Sequence, residues 1–415
     1  MCDTLYRKTG TSAFFAKNSD RSPNEPNLTV FVEAKPGDPL NRKKCTYVEI
    51  DENPDTFAMI LVKPSWMWGA EIGINSQGVA IGNEAVFTKN RDKKTERLTG
   101  MDLLRLGLEE GDTARHALDV IIGYLEKYGQ GGNCGFDKPF YYDNSFLIAD
   151  SREAFILEIV GKKHIEWQLD ASGNISNRLS VMNETAAAFF KRNTEPVFTC
   201  FSGSFNREKT LREAHITGIK DVIKAMQMHP ADLTTKTLFR RGTLKSPCMH
   251  YSTLGDHTTS SMIVEWKGDK ITIWLTGRST PCLAIYLPVI FDRPGIPVFK
   301  SEKESLDFWL EREYLSRAVF SGLVIERDYK IQTNAIEEKL IQMAAGLGDD
   351  LSFEEIGAFN NYVLEMEAGF VKEYANIIHK VQSDPSVLTG RWKKKTLTLG
   401  KNVFLASLEE RRNTR

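Results

Sequence analysis

Apolar and polar positions alternate in short runs along roughly the first two thirds of the chain, and turn-forming residues separate these runs. Such alternation is typical of strands that bury one face. The clearest example is a meander of three strands at 145–149, 154–159 and 164–169, and hairpins are predicted at 73–85 and 260–276. The pattern therefore predicts a core made of strands that pair with their neighbours in sequence.

The N-terminal segment between Ser12 and Arg21 begins apolar and becomes polar. A hairpin here would return the residues from Lys17 to Asp20 towards the start of the chain. Asp20 could then accept a hydrogen bond from the α-ammonium group. The alternative is that 18–24, which reads Asn-Ser-Asp-Arg-Ser-Pro-Asn, is a turn with no further role.

A spacing of three and four residues between apolar positions predicts helices elsewhere. Thr99 is expected to cap a helix through Glu109, and Thr113 a second one that ends at Gly129. A further helical pattern covers 206–228. Beyond Pro297 the chain is helical from about 301 to 380, and its apolar stripe is interpreted as core packing or an interface; this stripe consists of Phe353, Ile356, Phe359, Val363, Met366, Phe370 and Tyr374.

The composition is that of a globular protein, with 415 residues, 41% hydrophobic, 26% charged and a formal net charge of −1. This length suggests two or three domains, or one large domain with additions. A nearly neutral chain gives no sign of nucleic-acid binding. No apolar run approaches the ~20 residues that span a bilayer, so no membrane insertion is expected. The N-terminus lacks an apolar signal core, and we expect a cytoplasmic protein.

The six cysteines include no Cys-x-x-Cys pair, and no group of cysteines and histidines has zinc spacing. No metal and no organic cofactor are therefore expected, and the cysteines are expected to be reduced. Cys248 and His250 are two residues apart and could form a dyad. A loop without catalytic function is favoured for them, because the sequence offers no third member.

Cys2 is the first candidate for chemistry, because it directly follows Met1. Methionine is generally trimmed when the next residue is small. Removal would leave a thiol and a free α-amine on one residue, with ordinary pKa values of about 8.5 and about 8. The amine could then act as the base for the thiol without a separate histidine. A cysteine at this position also occurs by chance in many proteins.

A tryptophan-rich segment follows strands predicted at 46–50 and 56–62. Trp66 and Trp68 flank a methionine, and Glu71 comes shortly after them, so the three could border a substrate pocket. Core packing is the commoner role of tryptophan. Further along, Asn83 ends a predicted strand and could offer its amide hydrogens to an oxyanion, although a plain strand-end asparagine is favoured on local grounds.

Several short motifs, taken together and in order, are similar to those of a known family. They are Met-Cys-Asp-Thr at the start, Ala-Lys-Asn-Ser-Asp-Arg-Ser at 16–22, and the segments at 64–71, 78–85, 100–109 and 130–133. The chain resembles the secernins over about residues 2–290. The secernins belong with the dipeptidase family of cysteine N-terminal nucleophile (Ntn) hydrolases.

The resemblance implies an α+β fold, a four-layer αββα sandwich of two antiparallel sheets faced by helices. It predicts an Ntn-hydrolase domain at 2–295, followed by a C-terminal helical region at 296–385 and a basic C-terminal tail at 386–415. The tail is interpreted as a solvated face.

The wider superfamily, which includes bile-salt hydrolases and penicillin acylases, implies roles for individual residues. Asp20 would contact the α-amino group of Cys2, and Asn83 would contribute to the oxyanion hole. Asn177 would be the second amide near the nucleophile. Bile-salt hydrolases have an arginine where this chain has Lys17, and a later arginine for which Arg278 is only a weak candidate.

The expected function is a cysteine-type amide hydrolase, most simply a dipeptidase, with Cys2, Asp20, Asn83 and Asn177 as catalytic residues. Lys17, Trp66, Trp68 and Glu71 would bind the substrate. An acylase for N-acyl amides is one alternative. Another is a non-catalytic regulator of exocytosis or a partner-binding scaffold, with the C-terminal helices as its interface. The sequence leaves a homo-oligomer open.

Overall fold

A computed structural model describes residues 1–38, 41–51, 55–180, 183–252, 255–291, 298–348 and 350–399. Its strands are β1 Cys2–Lys8, β2 Ala13–Arg21, β3 Asn27–Val32, β4 Arg42–Lys44, β5 Glu49–Asp51, β6 Met59–Pro64, β7 Ile72–Asn75, β8 Ala80–Val86, β9 Asp143–Ala149, β10 Ala154–Val160, β11 Lys163–Leu169, β12 Ser172–Ile175, β13 His257–Lys267, β14 Lys270–Leu275 and β15 Leu287–Ile290.

The helices come in three groups. Between the strands lie α1 Gly100–Glu110, α2 Ala114–Tyr128, α3 Glu184–Asn193, α4 Pro196–Phe201, α5 Ser204–Glu213, α6 Ile219–Met226 and α7 Thr235–Arg241. After the last strand come α8 Glu302–Phe320, α9 Glu326–Ala345, α10 Phe353–Lys372, α11 Ala375–Ser383 and α12 Gly390–Leu399. Short 3₁₀ turns at Pro281–Leu283 and Pro385–Val387 complete the described elements.

The strands form two antiparallel sheets and one small hairpin. The six-stranded sheet has the order β12-β1-β2-β13-β14-β15, and the seven-stranded sheet has the order β11-β10-β9-β8-β7-β6-β3. The strands β4 and β5 pair only with each other. The two large sheets stack face to face, since β1 contacts β8 and β9. The predicted α+β class with two antiparallel sheets is confirmed.

An apolar layer fills the space between the sheets, and further apolar layers lie beneath the outer helices. Phe15 and Met262 of the six-stranded sheet share the inner layer with Ile60, Ile72 and Leu147 of the seven-stranded sheet. Helices α1 and α2 cover the outer face of the seven-stranded sheet, and α5 and α6 cover that of the six-stranded sheet. Helices therefore flank the stacked sheets on both sides, as in an αββα sandwich.

The C-terminal helices pack against the sandwich. Helix α8 contacts β3, and both α9 and α10 contact β15. Trp309 of α8 is fully buried and its indole N–H donates to the Thr259 carbonyl at 2.9 Å. The predicted helical character of 301–380 is confirmed. The predicted boundary at 295/296 and the tail beyond 399 lie outside the described residues, so the division at 2–295, 296–385 and 386–415 stays a prediction.

Local signals predicted most of the elements correctly. Thr99 caps α1 in a capping box with Asp102, and the Thr113 hydroxyl caps α2. The helical pattern predicted over 206–228 is present as two helices, α5 and α6, which are separated by a segment that ends at Gly218. The turn interpretation of 18–24 is wrong for its first four residues, which continue β2, and a turn is present only at 23–24. Among the described helices, none is long and apolar enough to cross a bilayer.

Candidate active site

Cys2 is the first residue of β1, a strand inside the six-stranded sheet, and pairs with Ser19 of β2. Successive side chains of a strand point to opposite faces. The side chains of Cys2, Thr4 and Tyr6 therefore face the second sheet, while those of Asp3 and Leu5 face the helices. Cys2 is only 4% exposed, so its thiol lies in a water-poor environment between the sheets.

Ionisable side chains surround the thiol on this inner face. The Cys2 Sγ lies 3.5 Å from Glu71 Oε2, and the charge of the Lys17 ammonium acts on the same sulfur. The Lys17 Nζ lies 3.6 Å from Glu84 Oε1, and both side chains are fully buried. Arg21 donates to the other Glu71 oxygen at 2.8 Å. The thiol therefore sits in a buried network of basic and acidic side chains.

Burial and neighbouring charges shift the pKa values of Cys2 and Lys17 in opposite directions. Burial raises the pKa of the Cys2 thiol well above its ordinary value, and the Lys17 charge works against this shift. Burial alone would lower the pKa of Lys17, but the charges of Cys2 and Glu84 raise it overall. Lys17 is therefore a permanent cation beside the sulfur, which stabilises a thiolate rather than accepting its proton.

The carboxyl of Glu71 stays ionised. Burial would raise its pKa, but the charges of Arg21 and Lys17 lower the pKa overall. The Glu71 carboxylate accepts the thiol hydrogen and so holds the resting sulfur in its neutral form.

The backbone of Cys2 is held from the opposite side by two residues. Its N–H donates to Asn177 Oδ1 at 2.8 Å, and the Asn177 amide donates in turn to the Ala85 carbonyl at 2.9 Å. Arg207 of α5 donates to the Cys2 carbonyl at 2.9 Å, to Asp3 Oδ2 at 2.6 Å and to Asn177 Oδ1 at 2.7 Å. One fully buried guanidinium thus fixes the backbone of the candidate nucleophile.

Arg207 was missed in the sequence, which offered Arg278 as the later arginine. Arg278 lies in another network, where it donates to the Tyr329 hydroxyl at 3.0 Å and the Ser316 hydroxyl at 2.6 Å. The available signal was that Arg207 and Leu211 are four residues apart on one predicted helix. An arginine on the apolar stripe of a helix needs buried acceptors.

Asp20 lies close to the start of the chain. Its carbonyl accepts from the Met1 ammonium at 2.6 Å, and the same ammonium donates to Asp256 Oδ2 at 2.7 Å. The Asp20 carboxylate accepts from the Thr258 hydroxyl at 2.6 Å. Burial raises the pKa of Asp20 to about 7, although Met1 and Arg207 both lower it. The hairpin of β1 and β2 thus brings the Asp20 carbonyl next to the Met1 ammonium, while the predicted contact of Asp20 with the α-amino group of Cys2 stays a prediction.

Asn83, Trp66 and Trp68 have contacts other than those expected of them. The Asn83 amide nitrogen donates to Asn144 Oδ1 at 3.0 Å and to Met101 Sδ at 3.3 Å, on the helix-covered face of β8. The Trp66 indole donates to a Glu25 oxygen at 2.8 Å. The Trp68 ring lies 4.1 Å beneath the Arg105 guanidinium. Their roles in the oxyanion hole and the pocket stay predictions.

Stability should depend on pH through Glu84, whose buried carboxyl has its pKa raised from 4.5 to about 8 despite Lys17. The folded protein then holds a proton that the unfolded chain releases above pH 4.5. The contribution of Glu84 to the free energy of unfolding is therefore fully present below pH 4.5 and is lost as the pH rises through about 8. We expect Glu84→Gln to flatten the fall in unfolding free energy between pH 5 and 8 by up to ~1.4 kcal/mol per pH unit.

Urea unfolding at several pH values measures this slope. Glu158→Gln is the matched control, since burial also raises the pKa of Glu158 to about 8. Glu158 accepts a hydrogen bond from Ser180 N, away from the thiol. The control should flatten the profile similarly and leave any hydrolytic activity unchanged. If the pH dependence of the unfolding free energy is the same in Glu84→Gln as in the wild type, Glu84 is not the group with the raised pKa.

Comparison with known proteins gives similarities of fold only. No protein-family model matches the chain. Solved structures similar to it include a mutant conjugated bile acid hydrolase from Clostridium perfringens, with 11% identity, a TM-score of 0.39 and coverage of 67% of this chain and 90% of that chain.

Two further similar structures are penicillin V acylase from Agrobacterium tumefaciens and the Caenorhabditis elegans ortholog of an N-acylethanolamine-hydrolyzing acid amidase. The acylase has 12% identity and a TM-score of 0.37, with 70% of this chain and 84% of that chain covered. The amidase ortholog has 9% identity and a TM-score of 0.34, with 64% and 99% covered. The resemblance to secernins stays a prediction.

Proposed function

We propose that this protein is a cysteine-type amide hydrolase whose nucleophile is Cys2 in a chain that begins at that residue. The observation that carries the proposal is the fixed start of β1. The Cys2 nitrogen is held by Asn177 at 2.8 Å and its carbonyl by Arg207 at 2.9 Å, while its sulfur lies beside Lys17. A nucleophile held at both ends of its backbone is preorganised for attack.

The reaction needs only the two functional groups of Cys2 and one water molecule. The thiol proton passes to the α-amine, and the thiolate, stabilised by Lys17, attacks the amide carbonyl carbon. The ammonium then protonates the leaving nitrogen as the C–N bond breaks and a thioester forms. Water, deprotonated by the amine, attacks the thioester and releases the acid and the thiol. Asn177 and Asn83 are the proposed oxyanion donors, and each would have to leave its present acceptor, the Ala85 carbonyl or Asn144 Oδ1.

The proposed substrate class is a dipeptide or similar short peptide. A dipeptide carries an ammonium and a carboxylate, and the residues next to Cys2 include both a carboxylate and an ammonium. Glu71 would bind the substrate ammonium, and Lys17 would attract its carboxylate. Trp66 and Trp68 would border the apolar part of the pocket. An N-acyl amide would lack the ammonium, so it would leave Glu71 without this contact.

A panel of free dipeptides and N-acyl amides of the same residues tests the substrate class. We expect kcat/KM to be higher for the free dipeptides, and Glu71→Gln to reduce that preference mainly through KM. Equal turnover of dipeptides and their N-acyl counterparts would favour the acylase instead. Turnover of neither group by a protein that begins at Cys2 would contradict the hydrolase proposal.

Removal of Met1 is the first requirement of this mechanism, because the nitrogen of Cys2 is otherwise a peptide amide and cannot act as a base. We expect intact mass and N-terminal sequencing of the purified native protein to give a chain that starts at Cys2. A variant with a lysine inserted between Met1 and Cys2 is the control. It should keep its initiator methionine and its thiol but lose hydrolysis.

A non-catalytic, partner-binding role is the second candidate, and one contact favours it. The Met1 ammonium donates to the Asp20 carbonyl and to the Asp256 carboxylate. Burial lowers its pKa, but the charges of Asp256, Cys2 and Asp20 raise it to about 10 overall. The fold therefore accommodates an untrimmed chain. Native protein that retains Met1 and hydrolyses no member of the panel would support the scaffold and contradict the hydrolase.

A further inference from the structure

Four metal-binding side chains meet outside the proposed active site. They come from three separate segments: His229 follows α6, Cys248 and His250 precede β13, and Cys282 lies in the 3₁₀ turn at Pro281–Leu283. Their ligand atoms all lie within 4.8 Å of one another. Three of the four residues are buried, and His229 is half-buried. The mechanism proposed above uses none of them.

Three distances, all measured from His250 Nε2, are close to the edges of a tetrahedron of ligands around zinc. Zn–N bonds of about 2.05 Å and Zn–S bonds of about 2.3 Å give edges of about 3.3 Å between two nitrogens and about 3.6 Å between nitrogen and sulfur. The two histidine Nε2 atoms lie 3.2 Å apart. The His250 Nε2 lies 3.6 Å from the Cys248 sulfur and 3.4 Å from the Cys282 sulfur.

The charges also suit a buried zinc ion. Two thiolates balance the charge of Zn²⁺, and two neutral imidazoles add none, so the complete site is electrically neutral. A neutral site in an apolar shell avoids the cost of an unpaired buried charge. The shell is present, because the rings of Phe239 and Phe320 lie 5.4 Å and 5.9 Å from the His250 ring.

We propose that His229, Cys248, His250 and Cys282 bind one structural Zn²⁺ ion. A set of two sulfur and two nitrogen ligands in a tetrahedron is typical of zinc. All four positions are filled by the protein, so no position stays open for water or substrate, and the site is structural rather than catalytic. The proposal replaces the sequence-based expectation that no metal is bound, and it does not depend on the proposed hydrolase function.

The ion would join segments that support the active site. Between the ligands Cys248 and His250, the Met249 N–H donates to the Thr258 hydroxyl at 2.8 Å, and that hydroxyl donates to Asp20 at 2.6 Å. On the neighbouring segment, the Asn18 amide donates to the carbonyls of Met226 and Pro247, both at 2.8 Å. The zinc ion would therefore stabilise the segments that contact β2, the strand that carries Lys17 and Asp20.

Metal analysis of the full-length protein, expressed in zinc-supplemented medium and purified without chelators, tests the proposal directly. We expect close to one zinc per chain by mass spectrometry of the elements. Zinc-edge X-ray absorption should show two nitrogen ligands at about 2.0–2.1 Å and two sulfur ligands at about 2.3 Å. Cobalt exchanged into the site should give the intense visible bands of tetrahedral thiolate coordination.

Variants distinguish this site from adventitious binding. Cys282→Ser should lose most of the zinc and lower the unfolding midpoint by on the order of 5–10 °C. Cys200→Ser and His215→Ala are the controls, because both residues are exposed and lie outside the cluster. They should retain one zinc per chain. Chelation of the wild-type protein should lower its midpoint similarly, which covers the case in which Cys282→Ser does not fold.

Two results would overturn the proposal. The first is wild-type protein that carries no zinc after supplementation, in which case the four side chains form only a network of thiol–imidazole hydrogen bonds. The second is a mass lower by two hydrogens with a peptide that links Cys248 to Cys282, since a disulfide between them would leave no thiolates for the metal.

Discussion

Cys2→Ala should abolish amide hydrolysis, with kcat/KM for the best substrate falling by at least about 10³-fold, while the fold is retained. The loss is expected because the same residue supplies the nucleophile and, through its α-amine, the base. The alanine amine still binds Asn177 but has no thiol to activate. Cys2→Ser should recover little activity, because a hydroxyl is a much weaker nucleophile than a thiolate in this setting.

Cys45→Ala is the matched control for this substitution. Cys45 is buried to a similar extent, 3% exposed against 4% for Cys2, and packs in the large apolar core. Both variants should lose similar, modest amounts of thermal stability, and only Cys2→Ala should lose activity. Full hydrolysis by Cys2→Ala would exclude Cys2 as the nucleophile, whatever the identity of the substrate.

Arg207→Met should destabilise the protein by about 3–5 kcal/mol, because it leaves the buried Asp3 carboxylate without its cation. The fully buried guanidinium also holds the Cys2 carbonyl and Asn177 Oδ1. Urea unfolding measures the loss of stability. Activity should fall as well, even at temperatures where the variant is folded, because the backbone of the nucleophile is no longer fixed.

Two further variants separate charge from packing at this position. Arg212→Met alters an arginine on the same helix whose side chain is 58% exposed, and should change stability by no more than about 0.5 kcal/mol. The double variant Arg207→Met with Asp3→Asn removes both charges and should recover part of the lost stability. If the double variant is less stable than Arg207→Met, the ion pair with Asp3 is not the source of the effect.

The sequence predicted the features that depend on neighbouring residues. Apolar periodicity and caps such as Thr99 indicated the main strands and helices, because these signals act within a few residues. The hairpin that brings Asp20 to the start of the chain also depends on neighbouring residues. The helices α4 and α7 were missed because each offers too few turns to establish a clear apolar stripe, and α3 was missed because it buries only Ala186.

The remaining features depend on distant parts of the chain. Arg207 contacts Cys2 across 205 residues, which no local pattern encodes. Asn83 shows a second limit, since it was predicted to end its strand but lies in the middle of β8, and its face was not predicted. The pairing of Ile72 with Gly82 sets the pleat, so Gly82 and Glu84 face the other sheet and Asn83 faces α1. A one-residue change of register would exchange these faces.

The long separation between Cys2 and the residues that hold it has a consequence for how the protein matures. Met1 in the finished fold has a side chain only 9% exposed and an ammonium engaged by Asp20 and Asp256, so a processing aminopeptidase would find its substrate buried. At 5–20 residues per second, a ribosome needs on the order of 10–40 s to make the 205 residues from Cys2 to Arg207. Removal of Met1 would therefore take place during this interval of synthesis. A chain that still carries Met1 when Arg207 has been made would fold with the methionine buried.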